Sequence, residues 1–261
     1  MIRVGIGGWT YAPWRGVFYP KGLPQARELE HASQKLTSIE INGTFYGTQK
    51  PTSFRRWAEE TPDDFVFSLK GPRYATHRRA LAEAGESIER FFASGVLELK
   101  DKLGPVLWQL PPTKAFNADD FAAFLALLPP ARDGRPIRHA VEVRHASFVT
   151  PDFVGLLRKH SVAPVLVDSD KHPMIADATT DFIYARLQRT SEKVKTGYPP
   201  AALDAWAKRA QAWAKGGAPD DLSTIAGPAR SKGKREVFIY MISGAKVRAP
   251  AAAMALIERL R

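Results

Sequence analysis

The sequence predicts one (β/α)8 barrel of the TIM type, in a single domain spanning residues 1–261. Three observations predict this fold. The length is close to the roughly 250 residues that such a barrel needs. Eight short, apolar, β-branched runs recur along the chain, and segments with helical periodicity separate them. A doubly wound sheet usually has fewer strands and opens on a glycine-rich phosphate turn, whose third glycine is replaced here by Thr10.

The predicted elements alternate in order along the chain. The strands cover residues 3–6, 38–41, 65–69, 106–110, 140–143, 164–167, 182–187 and 237–242. Helix patterns lie between them and include residues 52–60, 88–99, 118–128, 152–159, 203–215 and 251–260. Strict alternation of strand and helix implies a parallel sheet with helices on its outside.

Composition excludes several classes of function. The chain has no cysteine, which excludes thiol nucleophiles, disulfides, zinc ribbons and iron–sulfur clusters. The first residues are too short and glycine-rich for a signal peptide, and no apolar run reaches membrane-spanning length. We therefore expect a cytoplasmic protein with no membrane partner. The formal charge of +11 favours anionic partners, although a generally basic, solvated surface would give the same total.

The segment of residues 216–235 differs in composition from the rest of the chain. It is rich in glycine and proline and ends in a basic run, Arg230 to Arg235. This pattern predicts a flexible loop. Because the loop precedes the eighth strand, it should lie on the N-terminal face of the barrel, with its charges solvated and away from the usual active site.

Polar residues occur in pairs, two positions apart, where the predicted strands end. The pairs are Glu40 with Asn42, Ser68 with Lys70, Glu142 with Arg144, Asp168 with Asp170 and Arg186 with Gln188, and a single Gln109 ends the fourth strand. Residues two apart share one face of a strand, so these side chains should point into the barrel at its C-terminal end. Barrel enzymes keep their catalytic groups there. The structural alternative is a set of internal ion pairs, which would contribute little to stability.

Each candidate residue has an expected role. The candidate catalytic residues are Glu40, Glu142, His145 and Asp168, with the two glutamates as general acid or base. Lys70, Arg144 and Arg186 would hold an anion. The other candidate substrate-binding residues are Asn42, Gln109, Gln188, His77, Tyr11, Trp14 and Tyr46. The alternatives are that the two histidines make ordinary hydrogen bonds and that the aromatic side chains fasten a long first loop to the barrel.

No cofactor is predicted. Glu40, Glu142, Asp168 and His145 supply oxygen and nitrogen ligands for a divalent metal, but they lack the compact spacing of a dedicated site, and metal binding is the weaker alternative. The rim shows a different pattern, with basic residues in loops 70–79 and 186–195 and aromatic residues after the first two strands. Cations beside rings suit a nucleotide, a sugar phosphate or a single nucleic-acid strand.

Several motifs resemble one family over nearly the whole chain. They are GGWTY at residues 7–11, WRGVFYP at 14–20, IEINGTFY at 39–46, KGPRYATH at 70–77, QLPP at 109–112, VEVRHASF at 141–148 and ARL at 185–187. They resemble the YecE-like family, a domain of unknown function (number 72). The resemblance implies a TIM-like barrel and no established reaction. Barrels of this family look similar to metal-dependent sugar isomerases and abasic-site endonucleases, which is an analogy of fold only.

The chain departs from the family pattern at three places. Gln188 stands where a histidine is usual, Phe148 stands where a tryptophan is usual, and residues 240–244 replace an ending with aromatic and asparagine residues. Ser243 can substitute only partly for that asparagine. Either this branch handles a different ligand or its pocket has changed.

The leading hypothesis is an enzyme, a hydrolase, lyase or isomerase that acts on a small anionic or phosphate-bearing substrate at the C-terminal ends of the strands. The alternative is a nucleic-acid-binding protein that uses the basic rim, with or without nuclease-like chemistry. A non-catalytic scaffold that binds another protein is the third hypothesis. Neither the substrate nor the oligomeric state follows from the sequence.

Overall fold

Eight parallel strands close into a barrel, in which each strand pairs with the next along the chain and the last pairs with the first. The structure, a computed structural model, describes residues 1–227 and 233–261. The strands are β1 Ile2–Gly7, β2 Ser38–Ile41, β3 Val66–Lys70, β4 Leu103–Gln109, β5 His139–Glu142, β6 Ala163–Asp168, β7 Phe182–Leu187 and β8 Glu236–Met241. The predicted single-domain TIM-like barrel is confirmed.

All eight predicted strands are present, and β4 differs most from its predicted extent. It begins at Leu103, three residues earlier than predicted. The prediction was late because Gly104 and Pro105 have the composition of a turn. Gly104 instead lies against β3, where an added Cβ would stand 2.8 Å from the carbonyl oxygen of Phe67. The glycine therefore permits close approach of two strands.

Helices surround the barrel, and most of the predicted ones are present. They are α1 Glu28–Lys35, α2 Gly43–Tyr46, α3 Pro51–Glu59, α4 Arg73–Thr76, α5 Gly85–Ala93, α6 Ala118–Leu127, α7 Pro151–His160, α8 Pro200–Ala214 and α9 Ala249–Leu260. The predicted helix at residues 88–99 is in fact two pieces. Its chain turns at Gly95, whose φ of 99° breaks the helix, and continues as the 3-10 segment Val96–Lys102. None of the described helices is long and apolar enough to cross a bilayer.

Strict alternation fails at two places in the described chain. A short antiparallel pair, Ala131–Arg132 with Arg135–Pro136, lies between α6 and β5, and the helix between β6 and β7 is missing. Residues 169–181 are all described and contain no helix. The carboxylate of Asp177 in this stretch accepts hydrogen bonds from the backbone N–H groups of Ile225 and Ala226, at 2.8 and 2.9 Å. Arg158 of α7 donates to the carbonyl oxygen of Gly227 at 2.8 Å. A segment that precedes β8 is therefore fastened beside the unit that lacks its helix.

The predicted flexible loop, residues 216–235, is only partly of the expected kind. Residues 228–232, including Arg230 and Lys232 of the basic run, lie outside the described part. On the far side, Arg235 is 2% exposed and its Nη1 donates to the carbonyl oxygen of Gly217 at 2.9 Å. The expectation that all charges of this loop are solvated is wrong for Arg235, which fastens the loop to the end of α8.

The barrel interior between its two ends is lined mainly by apolar and aromatic side chains. Its buried side chains include Val66, Leu107, Ala140, Ala163, Val165, Val167, Phe182, Tyr184, Phe238, Tyr240 and Ile242. A larger apolar cluster fills the space between barrel and helices. At the N-terminal end Glu236 accepts hydrogen bonds from Arg3 and Arg138, at 2.5 and 2.6 Å. Polar groups therefore close the bottom of the barrel, and a second polar layer lies at its top.

Candidate active site

Charged side chains occupy the last inward positions of four strands. They are Glu40 of β2, Lys70 of β3, Glu142 of β5 and Arg186 of β7. All four are buried, with exposed fractions between 0 and 6%. Their inward orientation agrees with the expectation from the paired polar residues. We call Glu40, Glu142 and Arg186 the central cluster.

Arg186 joins the two carboxylates of the central cluster across the barrel. Its Nε and Nη2 donate to Glu40 at 3.1 and 3.0 Å, and its Nη1 donates to Glu142 Oε2. All three nitrogens of the guanidinium thus donate to the two glutamates. A planar, permanently charged fork suits this double ion pair better than a lysine would. The expected role of Arg186 as a direct anion ligand therefore conflicts with its position, since its nitrogens are already engaged.

Neighbouring side chains complete the hydrogen bonding of both carboxylates. The Tyr184 hydroxyl donates to Glu40 Oε2 at 2.7 Å. Glu142 Oε1 accepts from Gln109 Nε2 at 2.7 Å and from Arg144 Nε at 2.8 Å. Each of the four carboxylate oxygens consequently accepts at least one hydrogen bond. Buried charges need this degree of pairing to remain ionised.

The charge state of Glu142 decides what it can do. Burial raises the pKa of its carboxyl, but the charges of Arg186 and Arg144 and their hydrogen bonds outweigh burial and lower the pKa to about 2. A carboxyl with this pKa holds no proton near pH 7. The structure therefore does not support Glu142 as a general acid, and its saturated oxygens make it a poor base. Its position is that of an ionic support for the two arginines.

Two tyrosines beneath the central cluster were not singled out by the sequence. Tyr184 lies two residues before Arg186 on the same inward face of β7. Tyr240 of β8 shares hydrogen bonds with the hydroxyls of Ser38 and Ser68, at 2.7 and 2.6 Å. Both tyrosines sit within apolar strand patterns, so only strand parity relative to Arg186 would have identified Tyr184. Together they form a polar layer that supports the cluster from below.

Lys70 differs from the other charged residues because it has no polar partner. Its Nζ lies 3.7 Å from the centre of the Phe45 ring, and no residue in the described ranges hydrogen-bonds or ion-pairs with it. The side chain is 6% exposed. Burial, followed by the charge of Arg186, lowers the pKa of Lys70 to about 8. Lys70 is therefore a buried amine that titrates close to neutral pH.

Two buried polar atoms in the segments that follow β6 and β7 also lack partners. The Nε2 atom of Gln188 and the Nδ1 atom of His172 are buried without a hydrogen bond in the part of the chain that is described. His172 follows β6, and burial together with Arg144 lowers its pKa. Arg144 bonds Glu142 through Nε alone, which leaves both Nη nitrogens without a described acceptor. Native proteins leave few buried polar groups unsatisfied, so the atoms of Gln188 and His172 need an explanation.

Asp168 does not point into the barrel, contrary to the expectation. On β6 the inward positions are those of Val165 and Val167, and Asp168 faces the other side. Its carboxylate accepts from the Tyr198 hydroxyl and pairs with Arg189 Nε, both at 3.0 Å. Burial raises its pKa. Asp168 is therefore separated from the central cluster and fastens the loop after β7.

The two candidate histidines lie at different places. His145 Nδ1 accepts a hydrogen bond from the backbone N–H of Ser147 at 3.2 Å, which caps a 3-10 turn and places the proton of the neutral ring on Nε2. This contact agrees with the structural alternative. His77 stands on the rim, 5.5 Å from the Phe45 ring, and burial followed by the charge of Lys70 lowers its pKa. His77 thus belongs to the surroundings of Lys70.

The rim aromatics divide into fastening and exposed residues. Trp14 is 1% exposed and its indole N–H donates to the carbonyl oxygen of Lys246 at 2.9 Å. Tyr11 packs edge-on against Trp14, and Lys246 lies over its ring at 4.5 Å. These contacts fasten the first loop to the loop after β8, so Trp14 is unavailable to a ligand. Tyr46 is 66% exposed on the rim.

Asn42 Nδ2 donates to the carbonyl oxygen of Glu40 at 3.3 Å.

The expected ligands for a divalent metal are not brought together. Glu40 and Glu142 are bound to Arg186, Asp168 faces away, and His145 caps a turn. Within residues 1–227 and 233–261, no group of three such side chains is arranged around a common point.

The comparisons with known proteins agree with this fold. The UPF0759 protein YecE of Escherichia coli K12 is 30% identical over 150 residues, which covers 57% of this chain and about half (50%) of that relative. A DUF72 family protein of Thermotoga maritima has a crystal structure that matches with a TM-score of 0.75 and 24% identity, over 100% of this chain and 99% of that one. A DUF72 family protein of Enterococcus faecalis matches with a TM-score of 0.67 and 18% identity, over 100% and 98%.

These two structural matches lie below 25% identity, so they show the fold alone. The family model described as "protein of unknown function DUF72" matches residues 3–261, which is nearly the whole chain. This protein therefore belongs to the DUF72 family.

Proposed function

We propose that this protein is an enzyme that binds a small anionic substrate at the barrel mouth, between Lys70, Arg144 and Gln188. The observation that carries the proposal is the unpartnered ammonium group of Lys70, in a side chain that is 6% exposed. A largely buried charge without a protein partner is costly, and folding alone would not favour it. A bound anion would supply the missing partner.

The central cluster explains why the free charge belongs to Lys70. The charges of Glu40 and Glu142 are satisfied by Arg186, Arg144, Tyr184 and Gln109. With two carboxylates against Arg186, Arg144 and Lys70, the mouth retains one positive charge. Arg144 and Gln188 follow β5 and β7, which flank β6, and by strand parity their unsatisfied donors continue the inward faces of those strands. Together they offer a carboxylate or phosphate several hydrogen bonds of the charge-assisted type.

In this proposal Lys70 takes over the acid–base role that the sequence assigned to the glutamates. A group whose pKa is about 8 exists in both protonation states near neutral pH, which suits proton transfer. The two glutamates instead hold Arg144 and Arg186 in place. His77 and His172, on the rim, are further groups whose charge the anion would influence.

A second candidate function is nucleic-acid binding, and one observation favours it. A cleft of about 690 Å³ opens beside the mouth, lined by His77, Arg78, Arg79, Lys114 and others. His77 is common to this cleft and to the surroundings of Lys70. A chain of phosphates extending from the mouth would meet Arg79 and Lys114 next. The small-anion proposal ranks first because it needs only the unpartnered amine of Lys70 and the donors at the mouth, and not the neighbouring cleft.

Thermal unfolding with added ligands separates the two functions. Phosphate, sugar phosphates, nucleotides and small carboxylates form one arm, and short oligonucleotides at several salt concentrations form the other. A ligand at about a hundred times its Kd adds roughly 2.7 kcal/mol of stability. We expect small anions to stabilise the wild type and not Lys70→Ala/Arg144→Ala.

The matched control is Arg55→Ala/Arg56→Ala on α3, which removes the same charge far from the mouth and should respond like the wild type. Stabilisation by oligonucleotides only, weakening steeply with salt because counterions are released, would replace the first function by the second. An equal response of both double variants to phosphate would contradict a site at the mouth.

A further inference from the structure

Lys70 is the last residue of β3, at the C-terminal end of the barrel, and its side chain continues the inward face that Val66 and Ser68 define. The amine rests over the Phe45 ring, at 3.7 Å from its centre. The hydroxyl of Thr44 donates to the Lys70 carbonyl oxygen at 2.7 Å and fixes the backbone there. The amine is thus held in place by a fixed strand end and an aromatic face, without a polar partner.

The surroundings favour the neutral amine. An ion pair with Glu40 or Glu142 would hold Lys70 protonated, but the oxygens of both carboxylates are engaged by other donors. Arg186 and Arg144 add positive charge nearby, which disfavours a further cation. Desolvation beside other cations is the setting in which lysines become nucleophiles toward carbonyl groups.

We propose that Lys70 forms a Schiff base with a small carbonyl compound that carries an anionic group, such as a 2-oxo acid. This inference rests on the proposed function, because the anionic group of the substrate is bound by Arg144 and Gln188. The substrate class is thereby narrowed from any small anion to one with an aldehyde or ketone group near its charge.

The covalent step is balanced without an oxidant or reductant. The neutral Nζ adds its lone pair to the carbonyl carbon, and a proton moves from nitrogen to the carbonyl oxygen to give a carbinolamine. A proton from solvent then converts the hydroxyl group into water, which leaves as the carbon–nitrogen double bond forms. The product is a protonated imine, whose positive charge replaces that of the lysine over the Phe45 ring. Addition of water reverses the sequence.

Reductive trapping tests the proposal. The protein is incubated near pH 7.5 with pyruvate or glyoxylate and cyanoborohydride, and adducts are located by peptide mass spectrometry. We expect Lys70 to be modified at least about tenfold faster than an ordinary lysine, because its neutral fraction is larger. The matched control residue is Lys102, whose ammonium is partly buried but donates to the carbonyl oxygens of Ala58 and Thr61 at 2.5 and 2.6 Å.

The variants sharpen the result. Lys70→Arg keeps the charge and should lose the rapid adduct, whereas Lys102→Arg should keep it. Site mapping on the wild type gives the same information if Lys70→Arg fails to fold. Adducts spread evenly over exposed lysines, with none enriched at Lys70, would overturn the proposal.

Thermal unfolding with pyruvate, without the reductant, distinguishes a failure of the Schiff base at Lys70 from a failure of the anion site. Stabilisation without a trapped adduct overturns the Schiff base and leaves the anion site standing. If neither pyruvate nor phosphate stabilises the protein and pyruvate gives no adduct, the Schiff base and the anion site are both overturned. Trapping of acetone as fast as pyruvate would contradict the requirement for an anionic group.

Discussion

Arg186 is the residue that holds the polar layer together. It binds Glu40 of β2 and Glu142 of β5 from its own position on β7, so it connects three separate parts of the barrel. The two carboxylates raise its pKa despite burial, which keeps it charged at every relevant pH. Removing one partner from a buried ion pair leaves uncompensated charge, and the cost is far larger than for a surface pair.

We predict that Arg186→Met lowers the free energy of unfolding by about 3–5 kcal/mol, because two buried carboxylates lose their common partner. Urea unfolding at pH 7 measures the change. The control is Arg27→Met, which breaks an exposed, solvent-screened pair with Glu30 and should change stability far less. Similar small losses in both variants would show that the cluster is not the internal support inferred here.

Lys70 gives the opposite prediction, since its buried charge opposes folding. Its pKa of about 8 lies below the ordinary 10.5, so between these pH values the unfolded chain binds more protons than the folded one. The amount by which Lys70 lowers the free energy of unfolding therefore shrinks as the pH rises from 8 to 10.5. The full penalty is present below pH 8.

Lys70→Met should accordingly be more stable than the wild type at pH 7, by about 1–3 kcal/mol, and the difference should shrink steadily above pH 8 and vanish only above pH 10.5. Urea unfolding of both proteins at pH 7, 9 and 10 measures it, and groups common to both cancel in the comparison. A difference that stays constant with pH would show that Lys70 titrates like an exposed lysine.

At the scale of elements, strand parity determines which polar residues meet. Pairs of polar residues at strand ends correctly predicted the inward positions of Glu40, Lys70, Glu142 and Arg186. The same pattern failed for Asp168, because every residue of β6 before Asp168 is apolar and nothing in the sequence shows which face is the inner one. The residue that points into the barrel is Val167, and the residues next to it in the sequence do not reveal this orientation.

Asp168→Asn provides a test of this orientation. The variant removes the ion pair with Arg189 but leaves the mouth intact, so the stabilisation by phosphate should match that of the wild type. Arg144→Ala should lose it. Thermal unfolding with and without phosphate compares the three proteins, and a loss in Asp168→Asn as complete as in Arg144→Ala would place Asp168 at the binding site after all.

At the scale of the whole molecule, the sequence predicted the barrel well and the pairing within it poorly. Eight apolar runs sufficed for the closed sheet, but the missing helix between β6 and β7 and the anchoring of that region by Asp177 depend on contacts between distant segments. The same holds for the central cluster. Arg186 is 146 residues from Glu40 and 44 from Glu142, and no local pattern tells which charges will pair and which will stay free.

The net charge of +11 is informative only with these positions known. Many of the arginines pair with acidic residues on the surface, as Arg90 does with Glu86 and Arg259 with Asp204. The charge that bears on function is the unpaired charge of Lys70 at the barrel mouth. Burial makes this charge costly. Lys70 is therefore the residue on which the account depends.

The most direct measurement is an NMR titration of protein labelled with ¹³Cε-lysine, with and without phosphate. We predict one lysine resonance that titrates near pH 8, is absent in Lys70→Arg, and moves to a higher pKa when phosphate binds, because a bound anion favours the ammonium form. If every lysine titrates near its ordinary value of about 10.5 and phosphate shifts none of them, the barrel mouth is not an anion site organised by Lys70.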